Sequence, residues 1–289
     1  MHPEVFSMFG SVPTARWSSL GCYGLRVRGL DAAAGLMVPA APGWPELTVE
    51  RATPAGDGPD RDLVGEQKAA LPLAGGGWME LVPDRVTFRV AEPRSDGDLL
   101  HPYLAPAAAL VARWAGHECF HAGAIVAGGG AWGVLGGKED GKSTLLAWLA
   151  LRGHAVLSDD LLVIDGDAAM AGPRCIDLRE EAAGRLGAGE PLGVVGVRER
   201  WRVRLDAVPS SVPLRGWVLL GWAPEARLEP VRGPERLLAL TPHRSVRIAP
   251  PDPAALLALS SLPIVRFSRP RRWESFAAGA DRLLEALAA

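Results

Sequence analysis

Residues 136–143 read Gly-Gly-Lys-Glu-Asp-Gly-Lys-Ser, which matches G-x-x-x-x-G-K-[ST] at every fixed position. No other stretch constrains the fold as tightly, because the pattern works only where an apolar strand turns into a helix. Both neighbours are present. "AWGVLG" (131–136) predicts the strand. Residues 141–152 predict the helix, with Leu145, Leu146 and Leu149 on one apolar face and Gly153 as its stop. Gly136 and Gly141 permit positive φ, so successive backbone N–H groups can converge on phosphate oxygens. The helix N-terminus adds a favourable dipole. Lys142 is placed to reach the β- and γ-phosphates, and the Ser143 hydroxyl to ligate Mg²⁺. The candidate nucleotide-binding set is Gly136, Gly137, Lys138, Glu139, Asp140, Gly141, Lys142, Ser143 and Thr144. Glu139 and Asp140 repel a polyphosphate unless they point outward, and they read best as solvated loop residues. The competing reading, a glycine turn that binds nothing, does not account for the strand before and the helix after.

Asp159 and Asp160 close an apolar strand that follows that helix directly. In a β-α-β unit the C-terminal end of this strand lies near the phosphates. One carboxylate can then hold Mg²⁺, and its neighbour is free to take a proton from an acceptor hydroxyl. The alternative is an acidic turn at a sheet edge. Upstream, "FHAGAIVA" (120–127) reads as a strand, "GGG" (128–130) as a tight turn, and the two apolar runs as a hairpin.

The rest of the chain frames this centre. Residues 1–104 form a β-rich module, with "YGLRVRGL" (23–30), "ELTVERA" (46–52) and "WMELVPDRVTFRVAEP" (78–93) between turn signals. It carries no chemical motif. Residues 105–289 form the phosphate-loop domain, entered through a helix over 105–118 and closed by an amphipathic helix over 272–289. With 31 basic and 33 acidic residues, no overall field draws the chain to nucleic acid or an anionic membrane. No apolar run approaches a membrane span. The N-terminus lacks the pattern of a secretion signal. Cys22, Cys119 and Cys175 make no metal-spaced cluster. The expectation is a cytoplasmic protein, with a homo-oligomer left open.

Taken together, "HAGAIVAGGGAWGVLGGKEDGKSTLLAWLALRGHAVLSDDLLVID" resembles the core of the HPr kinase/phosphorylase family, serine kinases whose fold is akin to phosphoenolpyruvate carboxykinase. The shared features are a histidine before a hairpin, the phosphate loop, "RGH" and the aspartate pair, over roughly residues 117–181. The resemblance implies an α/β core of mixed sheet plus helices, ATP and Mg²⁺ as donor and metal, and a serine acceptor on a peptide or protein. It implies His121, Lys142 and Asp159 as catalytic residues, Asp159 being the base, with Ser143 and Asp160 on the metal. The chain departs from the family in Thr144, where the family has glutamate, and in lacking its later arginine- and glycine-rich signature. It looks more like smaller relatives that phosphorylate natural-product precursor peptides, lasso-peptide precursors among them. A nucleotide-gated binding module and a small-molecule kinase are the other readings.

Several cationic and aromatic residues remain. Arg198, Arg200, Arg202 and Arg204 alternate, so on a strand they share a face that grips an anion or is simply solvated. Arg174 and Arg179 are candidates to steady the γ-phosphate. "RPRRW" (269–273) reads as surface. The ten tryptophans are scattered and suggest no stacking platform.

Overall fold

The computed structural model describes residues 19–246 and 252–288; the N-terminal stretch weighed above as a secretion signal lies outside them. The fold is mixed α/β. An eight-stranded sheet runs, in spatial order, through Val38–Pro39, Leu20–Cys22, Leu25–Arg28, Glu46–Ala52, Arg85–Arg89, Trp78–Val82, Ala69–Pro72 and Leu63–Val64. Alternation puts Leu47 and Val49, Val86 and Phe88, and Met79 and Leu81 into its buried face. The helix Leu104–Trp114 is buried through Leu104, Ala107, Ala108, Leu110 and Val111 and shares one apolar cluster with that face. Cys119, Leu161, Val163 and Cys175 belong to the same cluster, so the N-terminal sheet and the second half of the chain share a core. The helix is shorter than the 105–118 predicted, since Glu118 already opens a strand, Glu118–Phe120.

The second sheet carries the glycine loop. Ala122–Ala127 and Gly130–Leu135 form the predicted hairpin, with Ala127 opposite Gly130. Gly128 (φ 57°) and Gly129 (φ 76°) occupy its two-residue turn. Positive φ at both positions is what a right-twisted hairpin demands, and glycine supplies it without steric cost. Gly130–Leu135 pairs in parallel with Ser211–Trp222, which pairs in parallel with Ile264–Arg269. On the other side Val156–Ser158 pairs antiparallel with Ala122–Ala127. The strand bearing the aspartates therefore runs in the same direction as the loop strand but is separated from it by one strand of the hairpin. A third, three-stranded sheet holds Cys175–Leu178, Arg198–Arg204 and Glu190–Val195.

The helix after the loop spans Lys142–Ala150, with Gly141 (φ 75°) as its N-cap. Leu145, Leu146 and Leu149 are fully buried; at about 1.5–3 kcal/mol each, they clamp the loop to the sheet. His154 N–H donates to Leu149 O at 3.1 Å and Gly153 N–H to Ala150 O at 2.9 Å. That paired return closes the helix C-terminus around Gly153, at φ 82°. Among the described residues no helix is long and apolar enough to cross a membrane. All three cysteines are free and buried, and burial pushes each thiol up.

Candidate functional site

Hairpin register creates the site. Ala122 faces Leu135 across the hairpin, so His121 falls beside the start of the loop. Its Nδ1 lies 2.9 Å from Asp160 O, and its Nε2 lies 3.4 Å from Lys142 Nζ. A carbonyl only accepts, so Nδ1 carries the proton and Nε2 offers its lone pair to Lys142. Partial burial and the Lys142 charge lower the His121 pKa, in keeping with a neutral ring. Lys142 is buried, and Nζ donates to Gly136 O at 2.8 Å and Gly137 O at 3.4 Å. Burial lowers its pKa, opposed by Asp160, Asp159 and Asp140.

The loop backbone differs from expectation in two respects. Positive φ falls at Glu139 (72°) and Gly141 (75°), not at Gly136. Space is tight at Gly136: a Cβ there would lie 3.1 Å from Asp140 Cβ and 3.3 Å from Leu220 Cβ, so its neighbours would have to give by a few tenths of an ångström. Only one of the two loop acids turns outward. Glu139 meets Arg179 at 3.2 Å, whereas Asp140 turns in and its Oδ2 accepts from Gly137 N–H at 2.5 Å. The loop is thus braced by its own carboxylate.

The aspartates occupy a tight turn in which Leu161 N–H donates to Asp159 O at 2.8 Å. Asp160 takes φ 64°, a left-handed conformation that aspartate tolerates better than most residues. The two side chains differ in burial, although a carboxylate oxygen of one stays within 4.8 Å of a carboxylate oxygen of the other. Asp159 is 2% exposed, and its Oδ1 accepts from the Ser143 hydroxyl at 3.2 Å. Asp160 is half-buried and lines a cavity of about 580 Å³ together with His121, Lys138, Lys142, Ser143 and Thr144. Burial, then the Asp160 charge, raises the Asp159 pKa well above the usual carboxylate value.

Beneath the pair lies a polar cluster that sequence reasoning missed. His101 is 1% exposed, and among the described residues neither ring nitrogen has a hydrogen-bond partner; the same holds for Asp159 Oδ2 and the Tyr23 hydroxyl. Ligand atoms of His101, Asp159 and Asp160 lie within 4.8 Å of one another. Buried polar atoms without partners are costly. A divalent cation near Ser143 and Asp159 would satisfy the bare carboxylate oxygen, so these residues fit one. His101 comes from far upstream, where no local motif marks it.

The predicted arginines divide. Arg202 is buried, binds both oxygens of Asp177 at 2.7 and 2.9 Å, and donates to His101 O at 2.7 Å. It serves the framework and is neither solvated nor free for a ligand. Arg198, Arg200 and Arg179 line the cavity, whereas Arg174 donates to Leu205 O at 3.2 Å and does not. "RPRRW" is not all surface: Arg269 is 3% exposed and donates to Asp140 O at 2.6 Å. Burial lowers its pKa to about 10.

Among the described residues, a second cavity of about 700 Å³ shares only His121 and Asp160 with the first. Val64, Leu71, Ala105, Leu110 and Leu161 contribute apolar walls. Arg244 also lines it; its Nε lies 3.4 Å from Glu118, which Arg113 binds as well.

No protein-family model and no curated protein sequence matches the chain. Among solved structures it is similar to the HPr(Ser) kinase/phosphatase from Coxiella burnetii, with 15% identity and a TM-score of 0.28 over 58% of this chain and 98% of that one. The likeness is loose.

Proposed function

We propose that the chain is an ATP- and Mg²⁺-dependent kinase that phosphorylates a hydroxyl, in the first instance a serine of a peptide or protein such as a natural-product precursor. One observation carries the reading: Asp160 and His121 stand in the wall common to two cavities, one holding the glycine loop and the other largely apolar. An in-line phosphoryl transfer, with attacking and leaving oxygens on opposite sides of the phosphorus, can use this arrangement: donor in one cavity, acceptor in the other, and one carboxylate within reach of both.

In this reading the 136–144 backbone and Lys142 hold the polyphosphate. Ser143 and Asp159 would hold Mg²⁺, with His101 close by, and the ion would supply positive charge beside the polyphosphate. The roles of the aspartates are therefore exchanged relative to the resemblance. Asp160, which faces both cavities, takes the proton of the acceptor hydroxyl. The acceptor oxygen bonds to the γ-phosphorus while the bond to the β–γ bridging oxygen breaks, releasing ADP. His121 positions Asp160 by donating to its carbonyl. The test is transfer of label from [γ-³²P]ATP to serine peptides with apolar flanks. Tight ATP binding with no peptide ever labelled counts against the proposal.

A further inference from the structure

Resting on that nucleotide reading, we propose that Trp222 and Trp273 form the seat of the donor's nucleobase. Although the ten tryptophans are scattered in sequence, the fold brings these two to the wall of the loop cavity, and neither borders the second cavity. Trp222 ends the strand that runs parallel beside the loop strand, so it emerges at the edge where the loop begins. Its ring lies against the loop itself: a Cβ on Gly141 would come 3.6 Å from Trp222 Cη2. Trp217, earlier on the same strand, is fully buried, whereas Trp222 is 39% exposed.

Trp273 packs against Phe276 with ring centres 5.3 Å apart, and Phe276 meets Trp148 edge-on at 5.9 Å. Trp148 lies one turn beyond Thr144 on the loop's own helix. The aromatic wall therefore flanks the loop and the first turn of its helix, away from the cavity shared through Asp160.

Both indoles carry guanidinium groups. Arg269 lies 4.5 Å and Arg271 5.7 Å from the Trp222 ring, and Arg185 lies 6.0 Å from that of Trp273. Arg269 is itself buried and bonded to Asp140 O, so it backs the Trp222 indole, while the ring's 39% exposure leaves it open to a flat partner. A purine is such a partner, displacing only the exposed Arg271 or Arg185 from the rings. Stacking of this kind reads a π-face, whereas the loop reads charge.

The two contributions separate by ligand. Affinities for ATP and for inorganic tripolyphosphate are measured by calorimetry on the full chain and on Trp222→Ala, Trp273→Ala and the double variant. Circular dichroism checks the fold, and the exposed Trp222→Ala variant carries the test if the double variant fails to fold. ATP is expected to weaken by about 10–100-fold in the double variant and at least about fivefold in Trp222→Ala. Tripolyphosphate should stay within about threefold in both. Equal losses for the two ligands, or no loss for ATP, overturn the stacking seat and leave the phosphate site standing. If the unaltered chain binds neither ligand, the phosphate site and the seat both fall.

Discussion

The Ser143 hydroxyl donates to Asp159 Oδ1 at 3.2 Å, tying the first turn of the helix to the end of the strand Val156–Ser158. The bond satisfies one carboxylate oxygen and leaves Oδ2 bare and buried. The site is thus built around a carboxylate whose charge, when present, finds no hydrogen-bond partner for Oδ2 among the described residues.

That charge has a pH signature. Burial, then Asp160, raises the Asp159 pKa above its ordinary 3.8, so folding favours the protonated acid. The resulting stability is fully present below the ordinary value and is lost as pH rises through the folded one. In EDTA at neutral pH, Asp159→Asn should therefore melt higher than the unaltered chain, by about 2–4 °C for each kcal/mol relieved. The gap should close near pH 4 and shrink when Mg²⁺ is added. Thermal melts across that range decide; a variant that melts lower at neutral pH in EDTA contradicts the assignment.

Asp160→Asn separates proton transfer from nucleotide binding. Loss of a general base costs about 10²–10⁴-fold in rate, and ATP affinity should stay within about threefold because Lys142 and the loop are intact. Single-turnover transfer and calorimetry report the two quantities independently. Comparable loss of ATP binding would place Asp160 in the phosphate grip.

Asp140 predicts a gain. Its carboxylate accepts from Gly137 N–H, a donor that a phosphate oxygen would use. Removing one like charge near the polyphosphate is worth about 1 kcal/mol in a solvated loop, so Asp140→Ala should tighten ATP about fivefold at low salt. The gain should fade as salt screens the site. Weaker binding at every ionic strength would show that the brace matters more than the repulsion.

Filling the second cavity should stop the reaction from the acceptor side. Ala105 is a partly buried wall residue there. Ala105→Trp is expected to cut peptide labelling by about tenfold or more and leave ATP affinity within about threefold. Undiminished labelling would move the acceptor elsewhere.

The loop, its helix, the hairpin and the aspartate pair were legible because each is a short-range pattern of φ preference or apolar spacing. The orientation of the pair was not. It depends on the left-handed turn at Asp160, which no neighbouring residue type requires. Trp222, Arg269, Tyr23 and His101 were also out of reach. Parallel strand pairing and packing deliver them from far along the chain, and their local sequence carries no chemical pattern. Arg202 shows the same limit in reverse: an alternating arginine run reads as a solvated face or an anion grip until Asp177 and His101 O are seen to occupy one of its members.

Arg202 also bears on how the chain can be cut. Through His101 O it fastens the segment leading out of the N-terminal sheet to the strand beside the cavity, and Tyr23 N–H donates across the same seam to Ala171 O at 2.6 Å. A fragment beginning at residue 105 would open the floor under the aspartates to solvent and strip the apolar cover from Leu161 and Val163. The smallest piece worth expressing for biochemistry therefore includes the sheet that carries no motif of its own.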